Sequence, residues 1–415
     1  MIRKEIHAEA AYSVVEFNGV RRFFATVAPC RGVTLLEQTE SVLQTIEMLF
    51  REDGGSGSIV MLSVFLKNVE DQAACRQIVE EFYGQELPAT SYIPQPPCDG
   101  KLLSIEAWGL AGGCNDLQIK RRGRGMVIAR HHGATWVYLA DVHPMTAAGS
   151  TCDRSLSAFR AAGKRLNSAG WQFDEVIRTW LYLGNITGAE GQTYRYLGLN
   201  RARADFYRNL KFGAGLVPRA WSGPVFPAST GIGASGNDVA IGCIALRANG
   251  PGVALFPLEN PLQTSAYDYA HQYGTETPKF ARAMAIATGQ LVTTFISGTA
   301  SITASESRHH DSVEQQTHQS IENIEALIAS DSFGRHGLGG LGATLDDLAV
   351  ARVYVKRQED YDAVRAICRA RLGELPTIYV VADICRPELL VEIEGIVFSH
   401  RPSVTGKPEG QCVNG

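Results

Sequence analysis

The sequence predicts an α+β protein built from three tandem copies of one layered unit, and three observations carry that prediction. Three stretches end alike: Leu102–Ala107 (LLSIEA), Val239–Ile244 (VAIGCI) and Leu390–Gly395 (LVEIEG). Each follows another apolar run of strand character, at Ser63–Leu66, Thr179–Leu183 and Ala351–Val355. The first and third copies also share Glu-Leu-Pro ahead of the closing strand, at Glu86–Pro88 and Glu374–Pro376. One chemical difference breaks the repetition. The third copy carries Glu392 where its siblings carry Ser104 and Ala240.

The copies span 1–118, 119–252 and 253–402, with a tail over 403–415 in which Lys407–Gly415 is expected to be disordered. In the first, Ser41–Phe50 sets apolar residues at helical spacing, and the glycine-rich run from Asp53 to Gly57 ends the helix. The Val64 strand follows, then a helix through Ala73–Tyr83, a Pro-rich loop and the closing strand. This order, strand–helix–strand–helix–strand, gives a sheet with helices on one face. The second copy repeats it with helices at Ser155–Asn167 and Ala202–Arg208, and with longer loops near 188–196 and 211–226. The third has helices at Val313–Ile328 and Tyr361–Leu372, separated by a glycine-rich loop from Gly334 to Gly342 and the Val353 strand. That loop has the wrong spacing and no preceding strand for a nucleotide-binding turn.

Bulk properties narrow the function. A chain of 415 residues is long enough for several domains, each with its own core. A net charge of −4 without a long basic run excludes a general nucleic-acid binder, and Lys120-Arg121-Arg122 reads as a solvated linker. No stretch approaches the roughly 18 apolar residues of a membrane span, and the amino terminus lacks a signal-peptide pattern. Nine scattered cysteines with no C-x-x-C pair point to a reducing cytoplasm rather than to disulfides or structural zinc. His309-His310 lacks ligand spacing, so no metal is expected.

On a strand, Glu392 and Glu394 project to one face while Val391 and Ile393 project to the other. Leu389, Leu390 and Ile396 make an apolar surrounding, which disfavours a charged carboxylate, and Glu394 adds like-charge repulsion. A carboxyl held protonated near neutral pH is what a general acid requires. A solvated strand face or an ion pair is the plainer reading of E-x-E, and Glu394, matched by Glu106, fits it.

The closing "VEIEG" strand and the repeating pattern resemble the YjgF/YER057c/UK114 (RidA-like) fold, whose members form trimers with ligand clefts between subunits. Three copies in one chain then imply an intramolecular pseudo-trimer of α/β sandwiches, hence a monomer. The second and third copies resemble one branch, the chorismatases. The matching blocks are Phe226–Gly233, "ENPLQTSAYDYAHQYG" (259–274), "PKFARA" (278–283), "FISGTASI" (295–302) and "ADICRPELLVEIEG" (382–395). The first copy has no counterpart in the usual two-domain form, and Ala304-Ser305 stands where the family has Gly-His.

The resemblance implies a cofactor-independent enzyme that protonates the enolpyruvyl ether of chorismate, a small dicarboxylate, from Glu392. Pyruvate leaves, together with 3-hydroxybenzoate or a dihydroxycyclohexadiene carboxylate. Arg282 is the expected carboxylate clamp, with Tyr269 and Tyr273 as hydroxyl donors and ring walls. Gly298, Thr299 and Ala300 are expected against the ligand, and Cys385 beside the ring. Gly298 together with Cys385 implies the 3-hydroxybenzoate product. Two other readings stay open. A RidA-type imine or enamine deaminase needs an arginine ahead of the closing strand, where this chain has Pro376–Tyr379. A non-catalytic ligand-binding protein would keep the cleft without turnover.

Overall fold

The computed structural model describes residues 2–7, 9–54, 57–112, 117–270 and 276–400. The tail expected over 403–415 lies outside them. Three six-stranded sheets follow one plan. The first holds β1 (Ile2–Ile6), β2 (Ala10–Phe17), β3 (Val20–Val27), β4 (Gly57–Leu66), β5 (Ala89–Ile93) and β6 (Leu103–Gly112) in the order β1-β2-β3-β6-β4-β5. The second holds β7 (Gln118–Arg121), β8 (Met126–His131), β9 (Ala134–Val142), β10 (Val176–Gly184), β11 (Ala228–Ala234) and β12 (Val239–Ala248). The third holds β13 (Val253–Leu258), β14 (Ala283–Thr288), β15 (Leu291–Ala300), β16 (Leu348–Val355), β17 (Thr377–Val381) and β18 (Val391–His400). Both repeat the first sheet's order.

Register makes the equivalence residue by residue. Ser104, Ala240 and Glu392 lie opposite Phe65, Tyr182 and Tyr354. Two positions on, Glu106, Gly242 and Glu394 lie opposite Ser63, Trp180 and Arg352. A bulge falls at the same place in β4, β10 and β16. Such a bulge bends a strand and raises its twist, so the three sheets curve alike.

Helices cover the outer faces: α1 (Leu35–Gly54) and α2 (Gln72–Tyr83), α3 (Thr151–Ser168) and α4 (Arg195–Tyr207), then α5 (Val313–Ile328), α6 (Ser330–Arg335) and α7 (Tyr361–Leu372). Local chemistry sets their ends. Ser150 accepts a hydrogen bond from Asp153 N while Asp153 accepts one from Ser150 N, a reciprocal cap that starts α3. Gly373, at φ 69°, ends α7. Each sheet and its own helices enclose a separate apolar cluster. The inner faces of all three sheets share a fourth, which includes Phe24, Trp108, Trp136, Trp180 and Phe295. The sheets therefore form a three-sided ring with helices outside, the pseudo-trimer the sequence implied.

The structure corrects several local expectations. The stretches between second helix and closing strand are not loops throughout. Each holds a strand (β5, β11, β17) paired parallel at a sheet edge. Three strands of the main sheet, where one was expected, open each repeat before its first helix. Lys120 and Arg121 belong to β7, and Arg121 pairs with Glu86 at 2.7 Å, so this run is a sheet edge rather than a linker. Short helix α6 precedes the glycine-rich loop, and α4 begins inside the expected 188–196 loop.

Candidate active site

Three clefts open where one sheet's closing strand meets the next sheet's parallel edge strand. Their linings correspond position by position. One contains Ser104, Thr26 and Tyr379; another Ala240, Asp141 and Tyr92; the third Glu392, Gly298 and Gly231. The third cleft thus gains a carboxyl and loses two side chains. Its Gly231 stands where the siblings hold tyrosine, and a Cβ there would meet Tyr196 Cε2 at 3.2 Å.

The glycine at 298 has a sharper reason. An irregularity between Ile296 and Thr299 turns Gly298 toward Glu392. A Cβ on residue 298 would overlap Glu392 Oε1. Only glycine leaves the carboxyl its place. The seam beside it is stitched across the two repeats: Ser229 N donates to Ser297 Oγ, and Gly298 N donates to Thr230 Oγ1, both at 2.9 Å.

Glu392 is 3% exposed. Burial, with the neighbouring Glu394 charge, pushes its carboxyl up to about 8, while Arg178 and Arg282 oppose the shift. It is therefore largely a neutral acid at pH 7. Glu394 behaves oppositely. Burial alone would raise it, but Arg178 (2.6 Å) and Arg352 (3.3 Å) hold it below its ordinary value, helped by Thr230 and Trp180 donating to its oxygens. Arg352 also grips Glu106 through Nη2 (2.7 Å) and Nε (3.0 Å). Glu394 and Glu106 are thus structural anions between sheets.

Facing Glu392 across the cleft are Arg203, Arg282 and Arg386. Arg282 donates from Nη2 to Tyr269 Oη (2.6 Å) and Thr264 O (2.8 Å), leaving a buried Nε without a partner. Arg203 lies on α4. It donates to Asn200 Oδ1 (2.7 Å), and its Nε is likewise unpartnered. Arg386 donates to Ser305 O at 2.9 Å and stacks over the Tyr269 ring. The cleft pairs one protonated acid with several cations, a setting for a doubly negative ligand. Cys385 also lines it, and burial pushes that thiol up to about 12, so it stays uncharged.

Of the residues singled out from sequence, Glu392, Cys385, Arg282, Tyr269, Gly298 and Ala300 line this cleft together. Thr299 does not. Alternation along β15 turns it away, and its hydroxyl donates to Ser297 O at 2.9 Å. Tyr273 lies outside the described residues. Sequence reasoning missed Arg203, Asn200, Tyr194 and Tyr196, because they come from the other repeat and carry no local motif. Among the described residues, no cluster of three or more His, Cys, Asp or Glu could hold a metal ion, and no helix is long and apolar enough to cross a membrane.

No family model matches the chain. Over 234 residues it is 37% identical to a 3-hydroxybenzoate synthase of Streptomyces hygroscopicus, covering 54% of this chain and 64% of that protein, just under two thirds of its length. It is 34% identical over 280 residues to a chorismatase of Streptomyces rapamycinicus, covering 64% of this chain and 78% of that one. A solved chorismatase structure superimposes with a TM-score of 0.65 at 22% identity, over 92% of this chain and 100% of that one. That span exceeds residues 119–415, so the likeness of fold reaches into the first repeat. With a third of the aligned residues shared across 78% of a curated relative, and with the same fold around the ring, this chain belongs to the chorismatase family.

Proposed function

We propose that this protein cleaves chorismate at its enolpyruvyl ether, releasing pyruvate and 3-hydroxybenzoate, with Glu392 as the general acid. One observation carries the reading: a buried carboxyl, raised to about 8, faces three arginines across a cleft. Chorismate brings two carboxylates, which suit Arg203 and Arg282 with their unpartnered Nε groups. Glu392 delivers its proton to the vinyl methylene, and the ether arm becomes an activated leaving group. The resulting Glu392 carboxylate is favoured by Arg178 and Arg282, the charges that oppose its raised pKa.

Capture by water would give the dihydroxycyclohexadiene carboxylate. Attack of the neighbouring ring hydroxyl on the ether-bearing ring carbon, as pyruvate leaves, closes an epoxide; breaking the hydroxyl's original C–O bond and losing the proton from the attacked carbon then gives 3-hydroxybenzoate. Pyruvate and 3-hydroxybenzoate together hold the atoms of chorismate, so this route consumes no water and needs no oxidant. The neutral Cys385 thiol beside an apolar cleft wall favours the internal route by displacing water. The name of the 37%-identical relative supports the same product.

Each cleft of the ring closes within a single chain, which supports a monomer. The free thiols at seven described cysteines fit a reducing cytoplasm. Incubation with chorismate and separation of the aromatic products tests the proposal. Equimolar pyruvate and 3-hydroxybenzoate are expected. Chorismate that binds and returns unchanged would make the cleft a binding site only.

A further inference from the structure

The ring has an axis, and that axis carries an unpaired buried cation. Register makes Arg22, Trp136 and Thr293 equivalent, since they lie opposite Leu110, Leu246 and Phe398. One residue from each repeat therefore faces a common point. Phe24, Tyr138 and Phe295 form the next layer. Between these layers lies a cavity of about 20 Å³, lined by all six residues.

Arg22 is 6% exposed and has no salt bridge among the described residues. Its Nη1 donates to Thr293 Oγ1 at 2.6 Å, but Nε and Nη2 have no partner. Trp136 Nε1, in the same lining, is also buried and unpartnered. Three N–H donors thus lack acceptors around one small space, and Thr293, accepting from Arg22, keeps its own proton to donate. Burial pushes Arg22 down to about 10, which still leaves it a cation at neutral pH. His131, stacked on Trp136, is held well below its ordinary value, first by burial and then by Arg22, and so adds no second positive charge.

The Arg22 guanidinium stacks over the Trp136 and Phe398 rings, 5.3 and 5.6 Å from their centroids, but no carboxylate meets it, and a buried charge without a counter-ion is among the most destabilising features a core can hold. A cavity of this size takes about one water-sized guest. Water would satisfy two donors at most and leave the charge in place, whereas a small anion answers both needs. We propose that a single halide-sized anion, chloride under ordinary conditions, occupies the pseudo-threefold axis and ties the three repeats together through Arg22, Trp136 and Thr293.

The test uses the whole protein. Crystals soaked in bromide should show an anomalous peak within hydrogen-bonding distance of Arg22 Nε or Nη2 and Trp136 Nε1. In solution, replacing gluconate by chloride at constant ionic strength should raise Tm by at least about 2 °C. Arg22→Met should abolish that rise. Should that variant fail to fold, Trp136→Phe, which removes one donor, should weaken it. Density without an anomalous signal, or a Tm indifferent to halide in the wild-type chain, overturns the proposal.

Discussion

At the scale of the residue, two glutamates two positions apart show how surroundings divide one chemical group into two roles. Glu392 and Glu394 share a strand face, yet Glu394 meets Arg178 and Arg352 while Glu392 meets an open cleft. Folding therefore binds an extra proton at Glu392 between its ordinary value near 4.5 and about 8. Stability from this group is fully present below 4.5, falls as pH rises through that window, and levels off above it. Urea denaturation at pH 5 and pH 8 should show Glu392→Gln gaining stability relative to wild type at the higher pH; an unchanged difference would deny the raised value. Arg203→Met should raise KM for chorismate by 10-fold or more with a smaller effect on kcat, as steady-state kinetics would reveal. Glu392 was legible in the sequence because a repeat betrays the position where it is broken. Arg203 was not, since only folding brings α4 of one repeat against β18 of the next.

Elements explain what single residues cannot. The irregularity in β15 aims Gly298 at the acid, and it has a counterpart in the second repeat, where Asp141 takes the equivalent place at φ 57°. The first repeat pairs without interruption there, Thr26 facing Glu106. Helix positions were readable from their 3.6-residue spacing, and α5 and α7 fall where that spacing put them. The edge strands β5, β11 and β17 were hidden, because short parallel edges surrounded by proline and glycine leave no alternation to detect. Motif departures can also acquire a physical meaning. Ala304, standing for the family's glycine, sits at φ 52° in the two-residue turn between Ile302–Thr303 and Glu306–Ser307. A side chain there costs about 1 kcal/mol. Ala304→Gly should stabilise the protein by about that amount, read as a raised urea midpoint with unchanged slope.

Across the whole molecule, three equivalent seams divide into one of one kind and two of another. One holds Glu392 and Gly231, while the other two hold Tyr379 and Tyr92 and have Ser104 and Ala240 in place of the acid. The ring that holds them is tied by buried ion pairs, with Arg352 of the third repeat clasping Glu106 of the first and Glu394 of its own. Removing that guanidinium strands Glu106 and leaves Glu394 to Arg178 alone, so Arg352→Ala should destabilise the chain by about 3–5 kcal/mol in equilibrium denaturation. The triple repetition was legible from the closing strands, but the interlocking was not, since its partners lie as far apart in sequence as Glu106 and Arg352. Ether cleavage depends on one proton held at the seam between the second and third repeats, and pyruvate release from chorismate measures it most directly. Wild type should release pyruvate with an activity that declines as pH rises through about 8, and Glu392→Gln should lower kcat by at least about 100-fold while the chain stays folded. Release at the wild-type rate from the folded variant would contradict the assignment of Glu392 as the acid.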